Sequence, residues 1–234
     1  MIDINCDLGE GLHNEHIIMP LISSCNISCG AHAGSIEIID KVIDLAVKHK
    51  VKIGAHPSFP DRQNFGRKVL DISNSDLQKS LEDQLTIFKD RALLQNATIH
   101  HVKPHGALYN LIAVNREKAS VVIAAIQHVF ETVKLYVPYH SRIEEVAIQS
   151  GLEIVYEAFA DRRYNEDLSL VSRTLSNALI EDKYEVLKQV QKISDKQLVT
   201  TVNFHEKKIK ASTFCVHGDT KNAIELLQYL HKHL

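Results

Sequence analysis

The sequence predicts an α/β protein in which a parallel sheet is covered by helices, and three observations carry that reading. Short apolar runs rich in β-branched residues alternate with longer stretches of helical periodicity. Ionisable residues follow those runs one after another, and eight of the nine glycines fall in the same segments. Alternation of this kind favours parallel strands joined by crossover helices.

Taken in order, seven runs read as strands: Ile2 to Cys6, Cys25 to Cys29, Val51 to Ala55, Thr98 to Val102, Val133 to Val137, Leu152 to Phe159 and Thr213 to Val216. Three helix starts are marked by Ser75 with Gln78, Ser141 with Glu144 and Asp182 with Glu185, the spacing at which a cap and its third residue satisfy each other's free amides. After Ser75, the residues Leu77, Leu81, Leu85, Phe88 and Ala92 recur at helical spacing, and after Thr220 so do Ala223, Ile224, Leu227 and Leu230. Both sets form an inward face. Residues 197–211 break the rhythm and read as an added hairpin, LVTTV and KKIKA joined across NFHE, while Gly151 suits a helix C-cap.

Composition bounds what such a protein can do. With 234 residues, 44% hydrophobic and 24% charged, the chain is expected to form a single globular domain over residues 1–234. The formal net charge of −2 and the lack of a basic run give no field for a polyanion, so neither nucleic acid nor a membrane surface is an expected partner. The segment MIDINCDLGEG has no basic region followed by an apolar one, and no apolar run reaches membrane length, so a cytoplasmic location is expected. Cys6, Cys25, Cys29 and Cys215 form no CxxC pair and lie among apolar residues, which suits buried reduced thiols, with Cys6 or Cys29 as the alternative reactive thiol.

Function is signalled at the strand ends. In turn come Asp7 with Glu10, His32, His56 with Asp61 and Arg62, Lys103 with His105, His140, Glu157 with Asp161 and Arg162, and His217 with Asp219. A parallel βα barrel would gather all of these on the face formed by the strands' C-terminal ends, where such barrels build their active sites. His32, His56, His105 and His217 each sit in a turn marked by Gly or Pro, more than structural histidines alone would explain. His100 and His101 are expected to alternate across their strand, and the histidines at 13, 16, 49, 128, 205, 231 and 233 to be exposed or packing residues.

The segments DINCDLGEG, NISCGAHAG, IGAHPSFPDRQNFGR, HVKPHGALYN, FADRRY and CVHGDT resemble the signatures of the LamB/YcsF family, from Asp3 to Thr220. Three positions depart from it: Ser35 stands where Asp is expected, Arg163 where Gly is usual, and Ser172 where Pro usually precedes Arg173. The first is expected to weaken a metal or substrate contact and the other two to alter loop geometry. The resemblance implies a seven-stranded parallel (β/α) barrel of the glycoside hydrolase/deacetylase type. It further implies the role of A subunit in an ATP-dependent 5-oxoprolinase, which cleaves 5-oxo-L-proline to L-glutamate with ATP hydrolysis and needs two further subunits, of B and C type. No GxxxxGK[ST] loop or other phosphate-cradling motif is present, so ATP is expected to be bound by, or shared with, those partners.

Within that reading, Arg62, Arg67, Arg162 and Arg173 are candidates for the substrate carboxylate or a phosphorylated intermediate, because a guanidinium fork matches either anion. Asp7 and Glu10 serve as general base or metal ligand, His32, His56 and His105 as proton carriers or ligands, and Lys103 as a stabiliser of oxyanion charge. Asp161, His217 and Asp219 are assigned to substrate binding with Asn110 and with Tyr109, which either lines the pocket or packs. A divalent metal, if bound, is expected on Asp7, His32 and His56. Two alternatives stand beside the oxoprolinase reading: a metal-dependent hydrolase of small amides working without ATP, and a subunit that captures substrate without catalysis.

Overall fold

The computed structural model describes residues 2–234. Seven strands close into an all-parallel barrel: β1 (Asp3–Leu8), β2 (Ser24–Ser28), β3 (Lys52–His56), β4 (Ile99–Val102), β5 (Lys134–Pro138), β6 (Ile154–Phe159) and a last strand, Thr213–Cys215, that pairs with both β6 and β1. Each predicted run overlaps one of these strands. The expected hairpin is present as β7 (Leu198–Thr200) and β8 (Glu206–Lys208), so the closing strand is β9.

The helices follow the strands: α1 (Glu15–Ile18), α2 (Ile36–His49), α3 (Asn74–Leu94), α4 (Gly106–Val114), α5 (Arg116–Val129), α6 (Arg142–Gln149), α7 (Lys183–Lys196) and α8 (Ala223–His233). Leu77, Leu81, Leu85 and Phe88 of α3 are each at most 1% exposed, and burial on this scale stabilises by about 1.5–3 kcal/mol per side chain. Ser141 and Asp182 cap α6 and α7 as their spacing predicts. The cap of α3 is a correction: Ser73, not Ser75, accepts the amide of Asp76, and Ser75 lies inside the first turn. Ser73 stands in the same three-residue spacing to Asp76, so two overlapping signals compete and the earlier one prevails. No helix among the described residues is long and apolar enough to cross a membrane.

What positions the site is the inside of the barrel. Side chains alternate along a strand, and on β1 the apolar Ile4, Cys6 and Leu8 join the hydrophobic core while Asn5 and Asp7 bond across the interior. The interior is therefore polar and stacked in layers. Deepest, Asp3 Oδ1 accepts from Ser24 Oγ and Thr213 Oγ1, both at 2.6 Å. Above them, Asn26 Nδ2 donates to Asn5 Oδ1 at 2.8 Å, Asn5 Nδ2 to Glu157 Oε1 at 3.0 Å, and His101 Nε2 to Asn26 Oδ1 at 2.7 Å. The ring of His101 stacks on Tyr136, with centroids 3.8 Å apart. Gly54, inside the predicted run Val51 to Ala55, lies in this layer on β3, and the reason for glycine there is steric: the His101 ring occupies the space a side chain would need.

Candidate active site

Where the strands end, the polar interior opens into a cavity of about 380 Å3. Lys103, the residue after β4, is its electrostatic centre. The ammonium lies 2.9 Å from Glu157 Oε1, 3.0 Å from Asp7 Oδ1 and 3.1 Å from Cys215 Sγ, and is 2% exposed. Burial alone would lower its pKa, but Asp7, Cys215 and Glu157 more than offset this and raise it well above the ordinary lysine value. Asp7 is the mirror case. Burial would raise its carboxyl, and His56 and Lys103 beside it hold it well below the usual range. Its Oδ1 is taken by Lys103 and by Asn26 Nδ2 at 2.7 Å.

Beside this pair, the β2, β3 and β4 ends bring three imidazoles together over Glu10. His32 stacks on His105 at 3.8 Å, and His56 meets both edge-on. Ligand atoms of Glu10, His32, His56 and His105 all lie within 4.8 Å of one another, a nitrogen and carboxylate set compatible with a divalent metal. The set differs from the expected Asp7, His32 and His56: Glu10 and His105 stand with the two histidines, while Asp7, whose Oδ2 lies 3.4 Å from His56 Nε2, groups with Cys215 and His217. A second cluster, Asp7, Cys215 and His217, is already neutralised, since the Lys103 ammonium contacts two of its three members.

The opposite wall comes from the segment after β6 and the turn after β9. Asp161 is fully buried and holds His217 through the ring at 2.9 Å and the backbone amide at 3.0 Å, with Thr220 Oγ1 donating to the same carboxylate. Burial would raise Asp161; His217 and these hydrogen bonds more than offset it and leave the carboxyl below its ordinary value. His217 lies flat against Phe159, ring centroids 5.3 Å apart. At the rim, Arg67 and Arg173 share the carboxylate of Asp219, two cations against one anion. Tyr109 packs its ring on Phe159 and also lines the cavity, and its buried hydroxyl has no partner among the described residues. Burial, then Glu157, raises that phenol well above its ordinary value, so it stays a donor.

Of the residues assigned a role from the sequence, Asp7, Glu10, His56, Lys103, His105, Tyr109, Asn110, Arg67, Arg162, Arg173, His217 and Asp219 line this cavity. Three lie behind or beside it. The guanidinium of Arg62 donates to the carbonyls of Gly30 and Gly34 at 2.6 and 2.7 Å, so it ties down the β2 loop and faces away from the cavity. Asp161 backs His217, and His32 backs His105. Ser35 is likewise no cavity residue: it caps α2, accepting from the Ile38 amide. All four cysteines are free and buried, and burial raises each thiol, Cys25 and Cys29 to about 12, which removes the reactive-thiol alternative. The residues overlooked are Asn5 and Asn26, which bear on the site from inside the barrel together with His101, expected only to alternate along its strand, and Glu157, noted at its strand end without a role. A signal for them existed: Asn5 with Asp7 and Asn26 with Ser28 recur at the period of two that marks one strand face.

Comparison with known proteins places this geometry among related barrels. The profile of the LamB/YcsF family matches residues 2–234. The A subunit of 5-oxoprolinase from Bacillus cereus (strain B4264) is 38% identical over 237 residues, covering 99% of this chain and 94% of that protein. Its counterpart of the same name from Staphylococcus aureus (strain bovine RF122 / ET3-1) is 41% identical over 228 residues, covering 95% and 91%. Among solved structures, a lactam utilization protein from Thermus thermophilus superposes with a TM-score of 0.92 at 31% identity, covering 99% of this chain and 94% of the other. A GH113 β-1,4-mannanase, at 10% identity and a TM-score of 0.53, shares the fold alone.

Proposed function

Because this chain belongs to the LamB/YcsF family, we propose that it is the lactam-binding subunit of an ATP-dependent 5-oxoprolinase, which converts 5-oxo-L-proline and water to L-glutamate. The carrying observation is the division of charge in the cavity: two guanidiniums against one carboxylate at the rim, and an ammonium between carboxylates on the floor. 5-Oxoproline is a small anion with a carboxylate on one side of a five-membered ring and an amide on the other. Arg67 and Arg173 suit the carboxylate, and the cavity is near the small end of the range of ligand pockets, about 300–1,000 Å3.

Ring opening adds a water oxygen to the lactam carbonyl carbon, breaks the carbon–nitrogen bond and leaves the nitrogen protonated. The Lys103 ammonium and the unpartnered Tyr109 hydroxyl are donors for the carbonyl oxygen as it gains negative charge. Asp7 Oδ2 is the carboxylate oxygen left free by Lys103 and Asn26, and it is positioned to take the water's proton. Glu10, His32, His56 and His105 would hold a divalent cation, which when bound supplies polarisation of the carbonyl and acidification of water. The chain carries no phosphate-cradling motif, and the relatives are named as A subunits, so B- and C-type partners handle the nucleotide.

The test is glutamate release from 5-oxoproline by the purified chain, alone and with the two partner subunits, each with and without ATP. Release only in the complete ATP-containing mixture is expected. Turnover by the isolated chain with ATP would overturn the division of labour, and silence in every mixture would overturn the substrate. The histidine and glutamate group favours one second reading, a hydrolase of small amides that needs metal and no ATP. Hydrolysis of such amides by the metal-loaded chain without nucleotide would establish it instead.

A further inference from the structure

The three imidazoles on the cavity floor carry a hydrogen-bond conflict. His56 Nδ1 lies 2.6 Å from the carbonyl oxygen of Lys103, and His105 Nε2 lies 2.9 Å from that of Phe65. A carbonyl only accepts, so both nitrogens carry hydrogen. His32 Nδ1 lies 2.9 Å from Ser58 Oγ, whose own hydrogen goes to the Phe59 carbonyl at 2.8 Å, so this nitrogen donates as well. Each ring thereby has its outward nitrogen committed, and in the neutral ring the other nitrogen presents a lone pair.

Those three lone pairs converge. His56 Nε2 and His105 Nδ1 stand 2.9 Å apart, and Glu10 Oε1 lies 3.0 Å from His32 Nε2, 3.3 Å from His105 Nδ1 and 3.8 Å from His56 Nε2. Four acceptor atoms thus face one point with no donor among them. Charge gives the same deficit: Asp7 and Glu157 share the one Lys103 ammonium, and Glu10 contacts only the three imidazoles, so with neutral rings its carboxylate has no cation against it. The backbone is shaped around the cluster too. At Gly66, with φ of +63°, a Cβ would lie 2.9 Å from His105 Cδ2 and 3.1 Å from His32 Cβ, so a side chain there would wedge into the stacked pair.

We propose that Glu10, His32, His56 and His105 form a binding site for one divalent transition-metal cation of the zinc class. Three imidazole nitrogens and one carboxylate oxygen are the donors zinc prefers, whereas magnesium and calcium take oxygen sets. The Lys103 and Phe65 carbonyls and the Ser58 hydroxyl are the outer partners that fix each ring's tautomer, as metal-bound histidines commonly require. Ser58 is itself held, its backbone amide donating to Gln84 Oε1 and its carbonyl accepting from Gln84 Nε2, both at 2.9 Å. The inference is independent of the lactam reading, since the conflict exists whatever amide enters the cavity.

The full chain, stripped with chelator and desalted, is titrated with Zn2+ and with Co2+, and retained metal is measured by elemental analysis alongside the visible absorption of the cobalt form. One equivalent of zinc and a cobalt spectrum of nitrogen-rich coordination are expected, with affinity reduced at least ~10-fold in Glu10→Gln and His105→Ala. Ser58→Ala removes only the hydroxyl behind His32 and is expected to weaken affinity ~10–100-fold, so it serves where a ligand variant fails to fold. His128→Ala, at an exposed histidine of α5, is expected to bind as the parent does. No retained metal, or retention and a cobalt spectrum unchanged by all three site variants, overturns the proposal and leaves the four acceptors to share protons. The readout is metal content, so its failure is separate from any failure to release glutamate.

Discussion

Gly54 and His101 face each other across neighbouring strands so closely that a Cβ on Gly54 would stand 2.1 Å from the Nε2 atom of His101. That ring has nowhere to retreat. Nε2 donates to Asn26 Oδ1 at 2.7 Å, and the opposite side of the layer is filled by Tyr136, stacked at 3.8 Å. Gly54→Ala is therefore expected to cost about 3 kcal/mol or more, at or beyond the upper end of ordinary overpacking. Urea denaturation reads the cost directly. Adding His101→Ala should recover part of it, since the pair are coupled through one space. A Gly54→Ala protein with parental stability would show that the interior is not packed this way.

Lys103 holds the next layer. Lys103→Met removes the ammonium between Asp7 and Glu157 and leaves both buried carboxyl groups without its charge. A loss of about 3–5 kcal/mol is expected, with a fall in turnover of roughly 10²–10³ if the ammonium stabilises oxyanion charge. The pH dependence gives the sign. In the parent, the raised Lys103 contributes stability that is present below its unfolded value and lost as pH rises past it, while the lowered Asp7 contributes stability present above its unfolded value and lost as pH falls. In Lys103→Met the Asp7 carboxyl keeps its burial and His56 but loses one of the neighbours that hold its pKa down, so the variant should lose less stability than the parent as pH falls from 7. A variant whose melting temperature instead drops in parallel with the parent's contradicts this account.

The strand order and the site's position were legible because they rest on simple signals. β-branched runs mark the strands, and ionisable residues such as Asp7, His56 and Lys103 follow them. The polar interior was not legible in the same way. Reading Cys25 to Cys29 as an apolar strand passes over Asn26, whose burial is tolerable only because Asn5, Asp7 and His101 from two other strands satisfy its amide. Partners so distant in the chain leave no local trace. Arg62 shows the converse: its neighbours His56 and Asp61 suggest a catalytic loop, yet the free carbonyls of Gly30 and Gly34 capture the long side chain outside the cavity.

Asp161 acts through His217. Its Oδ1 takes the ring Nδ1 at 2.9 Å, and its Oδ2 takes the His217 amide and the Thr220 hydroxyl, each at 3.0 Å. Asp161→Asn keeps the shape but weakens the grip, so turnover in the reconstituted assembly is expected to fall up to ~100-fold, as small misplacements do. Because the folded pKa of Asp161 lies below its ordinary value, its contribution to stability is present above the unfolded value of about 3.9 and is lost as pH falls through it. Parent and variant should differ in melting temperature at pH 7 and converge towards pH 3. A constant difference across that range would remove the ionic part of the argument.

Recognition of the substrate carboxylate rests on the rim. Arg67 and Arg173 both reach Asp219, and Arg67 also lies over the Phe65 ring at 4.8 Å, so one positive charge remains for an incoming anion on a partly fixed guanidinium. A hydrogen-bonded charge pair contributes about 1.5–3 kcal/mol, so Arg173→Ala and Arg67→Ala should each raise KM for 5-oxoproline by ~10–100-fold with kcat changed less. The decisive comparison is 2-pyrrolidinone, the same ring without its carboxylate. The parent assembly should handle it poorly, and neither substitution should make it worse, because the lost contact was never made. If both variants impair the two lactams equally, the arginines act on the ring or on the fold, and the carboxylate must be bound elsewhere in the cavity.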